Sequence, residues 1–281
     1  MPTCIEKSLR NAIIFLAKNQ SPSPKIDASI LLCHVIGMPS SYLYTWSDKL
    51  LSDKDQSAFN MSLARRAKGE PVAYIIGYHY FWTLKLKVES STLIPRPETE
   101  HLVEMALKYL PQGKKRVLDL GTGTGAIALS IAVERVNTHV VGVDLRGEAV
   151  TLAISNQQEN EVENAEFLQS NWFDSLPKQM FTMIVSNPPY LDSKDPHLLQ
   201  GDVRFEPKTA LIADDYGLAD IRHICQHSPY YLDNNGWLLI EHGYDQGNLV
   251  RSIFSEVGFC DIDTVRDYAG HDRVTLGRFN R

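Results

Sequence analysis

Apolar residues recur at helical spacing through residues 1–70. Ile5, Leu9, Ile13 and Leu16 fall on one face at steps of three and four. Ile26 to Ile36 is a second apolar stretch, closed by Gly37 as a helix stop. Ser52 is placed to cap a third helix that runs through Phe59, Met61 and Leu63 to Arg65-Arg66 and ends at Gly69. The basic residues of its last turn suit the negative end of the helix dipole. No strand pattern interrupts this region, so a small helical bundle is expected.

The period then changes. After Gly69-Glu-Pro-Val-Ala-Tyr-Ile-Ile-Gly77 and the aromatic cluster Tyr78-His-Tyr-Phe-Trp82, Leu84, Leu86 and Val88 alternate with Lys85, Lys87 and Glu89. Alternation of period two predicts a half-exposed strand, one arm of a hairpin between two domains. The prolines of Leu93-Ile-Pro-Arg-Pro-Glu-Thr-Glu100 make a rigid lead-in, and Pro97 with two acids suits the first turn of a helix. That helix carries Leu102, Val103, Ala106, Leu107 and Leu110. From Arg116, strands expected at 116–120, 138–143, 165–168, 181–185, 236–241 and 273–278 alternate with helices. This predicts an α/β domain, doubly wound, with a mostly parallel sheet. The expected division is 1–73, 74–92 and 93–281: helical bundle, hairpin linker and α/β domain.

Two stretches carry candidate chemistry. Val117-Leu118-Asp119-Leu120 runs into Gly121-Thr122-Gly123-Thr124-Gly125 and then an apolar helix. A strand, a glycine-rich turn and a helix bring backbone N–H groups onto a ligand. Asp144 closes the next strand, where a carboxylate binds a ribose diol. Gly121, Gly123 and Ala126 also fit the dinucleotide pattern, and Asp144 lies at about the 20-residue distance expected for NAD. The second stretch is Asn187-Pro188-Pro189-Tyr190, directly after the apolar run 181–185. Neither proline can donate to a ladder, so the strand stops there, and Pro188 holds Asn187 extended. Asn187 and Tyr190 therefore sit on a stiff loop at the C-terminal end of a strand, where open α/β sheets bind ligands. An Asn oxygen and a Tyr face together suit a planar amine or amide. The plain alternative is an ordinary Asn-Pro turn. A hydride-transfer enzyme has no need of this turn. Asp119, just before the glycine loop, offers a carboxylate to an ammonium or ribose. Both features favour S-adenosylmethionine over NAD. Trp172 could border an adenine ring, or it is a core aromatic; sequence weighs the two equally.

Composition narrows the classes. The chain has 281 residues, 43% hydrophobic and 22% charged, an ordinary globular balance. No apolar run approaches the length of a membrane span, and Glu6, Lys7 and Arg10 do not suit a signal peptide, so a cytoplasmic location and no membrane partner are expected. Cys4, Cys33, Cys225 and Cys260 are scattered, which indicates neither a zinc site nor a disulfide framework. Residues 1–90 carry 11 basic and 7 acidic side chains, net +4; the remainder carries 17 and 27, net −10. So acidic a body is a poor partner for nucleic acid.

Gly69-Glu-Pro-Val-Ala-Tyr-Ile-Ile-Gly77, Leu93-Ile-Pro-Arg-Pro-Glu-Thr-Glu100, Asp119-Leu-Gly-Thr-Gly-Thr-Gly125, Asn187-Pro-Pro-Tyr190 and Glu241-His-Gly243 together resemble the PrmC (HemK) family. These are glutamine methyltransferases that modify the Gly-Gly-Gln motif of peptide-chain release factors. The glycine and Asn-Pro-Pro-Tyr motifs are shared by many amine methyltransferases; Pro-Arg-Pro-Glu-Thr-Glu is the more specific marker. The resemblance implies a Rossmann-like class I S-adenosylmethionine-dependent methyltransferase. Gly121, Thr122, Gly123, Thr124, Gly125, Asp144, Trp172 and Asn187 would line the cofactor site, and Asn187, Pro188, Pro189 and Tyr190 would hold the substrate glutamine. Asn187, Pro188 and Tyr190 are the catalytic candidates: Asn187 Oδ1 and the Pro188 carbonyl accept the amide N–H groups, and Tyr190 packs on the flat amide. Glu206, Pro207 and Leu211 fit a family stretch near the rim, without an assigned role. Glu241, His242 and His271 are tempting bases but more often structural. No metal is demanded. Class 1 release factors are the expected partners of a monomer, with Arg65, Arg66 and Lys68 of the helical region as candidate contacts. A methyltransferase acting on an exocyclic amine of a nucleic-acid base remains the alternative, with the same turn holding a flipped base.

Overall fold

The computed structural model describes residues 3–281. Met1 and Pro2, which head the expected helical bundle, lie outside the described residues. The chain divides into two compact units. One comprises the chain up to Tyr78 together with Leu199–Phe205; the other comprises His79–Leu198 and Glu206–Arg281.

The first unit is helical: α1 (Ile5–Lys18), α2 (Pro24–Ile36), α3 (Ser40–Thr45), α4 (Asp53–Ala67) and α5 (Val72–Ile76). The expected face of α1 and the apolar residues of α2 and α4 meet in one core of Ile5, Leu16, Leu31, Leu32, Phe59 and Leu63. Gly37 takes the left-handed conformation that stops α2, at φ +66°. The Ser52 hydroxyl accepts from the Asp55 amide at 3.1 Å and so caps α4. The short α3 and α5 are too brief to show a period, and the sequence pattern missed both.

One expectation fails here. Arg66 is not a free surface cation. It is buried, with Nε donating to Asp27 Oδ2 at 2.7 Å and Nη1 to Asp202 Oδ1 at 3.1 Å. The hydroxyls of Ser21 and Ser23 donate to the same Asp27 carboxylate, each at 2.7 Å. Arg65 is bound to Glu70, Nε to Oε2 at 2.8 Å. A charge that must leave water needs such partners.

β1 (Tyr78–Phe81) and β2 (Leu84–Lys87) form a two-stranded sheet that from His79 onward belongs to the second unit. The alternation of β2 is real: Leu84 and Leu86 are buried and Lys85 is exposed. The chain continues through a 3₁₀ turn at Pro97–Thr99 into α6 (Glu100–Tyr109), β3 (Lys115–Leu120), α7 (Ala126–Glu134), β4 (Thr138–Asp144), α8 (Gly147–Glu159), β5 (Ala165–Gln169) and β6 (Phe181–Ser186). After the kinked α9 (Asp214–Gly217) come α10 (Ala219–His227), β7 (Leu232–Glu241), α11 (Gly247–Val257), β8 (Cys260–Arg266) and β9 (Asp272–Phe279).

The seven strands lie in the order β5-β4-β3-β6-β7-β9-β8. All neighbours are parallel except β9, which is antiparallel to both β7 and β8. Alternate residues enter two cores: Val117, Val140, Val185 and Leu239 face α6, α7 and α8. Leu118, Val141, Ile184 and Ile240 face α10 and α11. Strands covered on both faces read as unbroken apolar runs, which is why periodicity found them. The edge strand β8, Cys-Asp-Ile-Asp-Thr-Val-Arg, has no such run and was not expected. Strand order reverses between β3 and β6, so their C-terminal ends open a crevice.

Candidate active site

Leu120 and Ser186 are the last paired residues of β3 and β6, and the Ser186 hydroxyl donates to the Leu120 carbonyl at 2.8 Å. The next residues on the two strands are Gly121 and Asn187. The glycine loop and the Asn-Pro-Pro-Tyr turn thus leave the sheet side by side. Both contribute to one cavity of about 240 Å³.

Gly121, Thr122, Gly123, Thr124, Asp144, Trp172, Asn187 and Pro189 all line this cavity. Gly121 and Gly123 take left-handed φ values of +72° and +55°. A Cβ on Gly121 would touch the Trp172 ring at 3.5 Å, so the glycine leaves room for a ligand beside the indole. Asp144 Oδ2 accepts from the Gly123 amide at 2.9 Å and Oδ1 from the Arg146 amide at 3.0 Å. Its carboxylate therefore pins the loop. Burial holds Asp144 above the usual carboxylate range, although those two amides pull it down. Trp172 and Asp220 both line the cavity, and burial raises the Asp220 carboxyl while the neighbouring indole opposes that shift.

Four residues lie elsewhere. Gly125 is not on the cavity wall; it caps α7 at φ +82°, and a Cβ there would crowd Phe167, Ala153 and Leu129 at 3.1–3.2 Å. It allows close helix packing. Asp119 is fully buried beneath the loop, with Oδ2 accepting from the Thr122 hydroxyl at 2.6 Å and the Ala128 amide at 3.2 Å. Oδ1 has no partner. Burial pushes this carboxyl up to about 7. Pro188 is buried and does not line the cavity. The Tyr190 ring packs with the α10 and α11 core rather than on the cavity wall; its hydroxyl is 3.5 Å from Glu241 Oε1. His242 is also structural: Nδ1 lies 2.8 Å from the Gly243 carbonyl and Nε2 2.8 Å from Thr275 Oγ1, and burial lowers its pKa.

Sequence reading missed several wall residues. Thr99, Arg146, Thr209 and Asp220 line the cavity. Gly142, inside β4, is a further silent requirement, since a Cβ there would meet Phe167 at 2.5 Å and Thr122 Oγ1 at 2.8 Å. Glu206 ties the family stretch to the proline-rich lead-in: its Oε2 accepts from Arg96 Nη2 at 2.6 Å. Thr209 and Ala210, from the same stretch, reach the cavity rim.

Two family models match the chain: the PrmC N-terminal domain over residues 7–77 and the methyltransferase small domain over residues 99–201. The release factor glutamine methyltransferase of Vibrio cholerae is 53% identical over 280 residues, covering 99% of this chain and 98% of that protein. The protein of the same name from Aliivibrio fischeri is 52% identical over 280 residues, 99% of each. The crystal structure of a Pyrococcus furiosus methyltransferase matches with a TM-score of 0.55 at 17% identity, covering 78% of this chain and 98% of that one. That likeness shows the fold. The end-to-end identity shows the rest: the chain belongs to the release factor glutamine methyltransferase family.

Proposed function

We propose that this protein transfers a methyl group from S-adenosylmethionine to the side-chain amide nitrogen of the Gly-Gly-Gln glutamine of class 1 release factors. The observation that carries this reading is the convergence of the glycine loop, Asp144, Trp172 and Asn187 on one cavity at the β3/β6 switch point.

The walls suit the cofactor. Left-handed glycines leave space where a side chain would intrude, the Trp172 indole offers a flat face, and Asp144 offers a carboxylate for a ribose diol. When bound, S-adenosylmethionine supplies an electrophilic methyl on a sulfonium leaving group. The chain's own residues orient the acceptor. An amide nitrogen is a weak nucleophile because its lone pair is delocalised. Asn187 Oδ1 and the Pro188 carbonyl each accept one N–H of the substrate amide, which turns the nitrogen lone pair toward the cavity. Pro189 borders the same space. Tyr190, placed under the turn, supports it from the core side. The gain comes from positioning and exclusion of water, and no metal or strong base is required.

The acidic body argues against the nucleic-acid alternative. Incubation with labelled S-adenosylmethionine tests the reading: label should enter the release factor glutamine, and transfer to RNA or DNA, or none at all, would overturn it. Asn187→Ala should abolish transfer while cofactor binding falls much less.

A further inference from the structure

Gln246 is buried directly before α11, and its side chain joins three segments. Nε2 donates to the Tyr190 carbonyl at 3.0 Å and to the Tyr216 carbonyl at 3.3 Å. Oε1 accepts from the Gly243 amide at 2.9 Å. Tyr190 is the last residue of the Asn-Pro-Pro-Tyr turn. Tyr216 belongs to the kink of α9, where Asp215 and Tyr216 hold left-handed φ values of +54° and +55°. Gly243 ends the Glu241-His-Gly243 stretch, none of whose residues lines the cavity.

A carboxamide carries two hydrogens on nitrogen and only lone pairs on oxygen. Here two carbonyls face the nitrogen and one N–H faces the oxygen, so the three contacts fix one orientation. The flipped amide would set its oxygen against two carbonyls and its NH₂ against an N–H. Gly217 keeps the junction close: a Cβ there would stand 2.1 Å from the Tyr190 oxygen and 2.9 Å from Gln246 Nε2. Leu191, the next residue, is held as well. Its amide donates to the Leu211 carbonyl at 2.9 Å, and its carbonyl accepts from the Ala213 amide at 3.0 Å.

We propose that Gln246 is a positioning residue for methyl transfer, a clamp on the exit of the Asn-Pro-Pro-Tyr turn that fixes where Asn187 and the Pro188 carbonyl stand. The inference rests on the reading of those two groups as the amide acceptors. The turn has few soft torsions, because both prolines lock φ. Its entry is fixed by β6, where Ser186 pairs with Leu120 and donates to the Leu120 carbonyl at 2.8 Å. A stiff segment held at one end still swings about that end. Holding the Tyr190 carbonyl removes the swing, so the Pro188 carbonyl, two residues away, keeps its place. The rate depends steeply on that place, since a misplacement of about 1 Å costs about 100-fold. None of the three partners of Gln246 lines the cavity, so cofactor affinity does not depend on the clamp.

The test is methylation of intact release factor and of a Gly-Gly-Gln peptide at saturating cofactor, with cofactor affinity measured separately by calorimetry. Gln246→Leu keeps much of the volume and loses all three bonds. It should lower kcat by about 10–100-fold on both substrates with cofactor affinity unchanged. Gln246→Glu gives a signature that a merely structural role would not. Its carboxylate still accepts from Gly243 but has no hydrogen for either carbonyl. Burial raises such a carboxyl by up to about 3–5 units, and once protonated it donates to one carbonyl again. The ratio of its kcat to the parent's should therefore rise as pH falls from about 8 to about 6. A Gln246→Leu enzyme with the parental kcat would overturn the clamp. So would a fall in cofactor affinity as large as the fall in kcat, which would mark a general loosening, or a loss confined to intact release factor, which would mark a docking effect. A Gln246→Glu ratio that stays flat with pH would overturn it too. Circular dichroism identifies a Gln246→Leu chain that fails to fold; the pH ratio of Gln246→Glu then decides alone. Full activity in Asn187→Ala would instead defeat the underlying reading, so the two failures are told apart.

Discussion

The Gly123 amide donates to Asp144 Oδ2 at 2.9 Å, joining the middle of the glycine loop to the end of β4. A carboxylate at the end of one strand thus shapes the loop that follows another, besides facing the cavity itself. Asp144→Ala should weaken S-adenosylmethionine binding by about 1–3 kcal/mol, through a lost charge-assisted hydrogen bond and a loosened loop. Asp144→Asn keeps one acceptor and should lose less. Calorimetry showing unchanged affinity in Asp144→Ala would remove it from the site, and tight NAD binding without S-adenosylmethionine binding would restore the dehydrogenase reading.

Ser186→Ala tests the joint between β3 and β6. The substitution leaves the buried Leu120 carbonyl without its side-chain partner, at a cost of about 1–2 kcal/mol in unfolding free energy. Urea denaturation reads it directly. A variant as stable as the parent would show that the strand ends are held by their ladder alone.

Asp119 predicts a pH dependence of stability. Its folded carboxyl is raised from 3.8 to about 7, so the folded state holds a proton that the unfolded state releases between those values. Its contribution is fully present below about pH 4 and is lost as pH rises to about 7. Asp119→Asn removes this titration. The stability of the variant relative to the parent should therefore climb from pH 4 to pH 8, by on the order of 4 kcal/mol. A difference that stays flat across that range would contradict it.

The buried Arg66–Asp27 pair should matter to the helical unit. Arg66→Ala leaves Asp27 buried without its cation and should cost about 3–5 kcal/mol. The double change Asp27→Asn with Arg66→Met should cost clearly less, because no fully buried charge is left alone; Asp202, the other partner, is only half-buried. Equal losses in the two would mean that packing, not charge, is at stake.

The helical unit is proposed as the second recognition surface, since a short Gly-Gly-Gln loop offers little contact area. Deleting residues 1–70 should leave cofactor binding largely intact. Methylation of intact release factor should fall steeply, while that of a Gly-Gly-Gln peptide should fall little. The Leu199–Phe205 segment complicates the reading, because Asp202 and Arg204 lose their partners Arg66 and the Lys68 carbonyl. Asp202→Ala in the full chain is the control: if it reproduces the deletion, the lost anchor and not the lost surface is responsible.

The chain's order of hydrophobic runs was enough to reveal the helical front, the strand-helix alternation and six of the seven strands of the large sheet. Local chemistry was equally legible. Glycines before an apolar helix mark a ligand loop, and two prolines after a β-branched run mark where β6 must stop. These signals are local because they come from φ, from missing N–H groups and from burial period. The partners were not legible. Thr99 reaches Asn187, Trp172 and Asp220 line one cavity, and Arg66 reaches Asp202 only because the chain folds back in one particular order. Nothing in the spacing of Arg65-Arg66 distinguishes a cation offered to a partner from one buried against Asp27. Gly125 and Asp119 read as ligand contacts because they adjoin the loop, yet the turn of the chain directs one into helix packing and the other beneath the floor. Sequence determined which elements form and which chemical groups stand at their ends. Tertiary structure alone decided which of those groups meet, because a hydrogen bond depends on distance and direction in space, and strand order sets both.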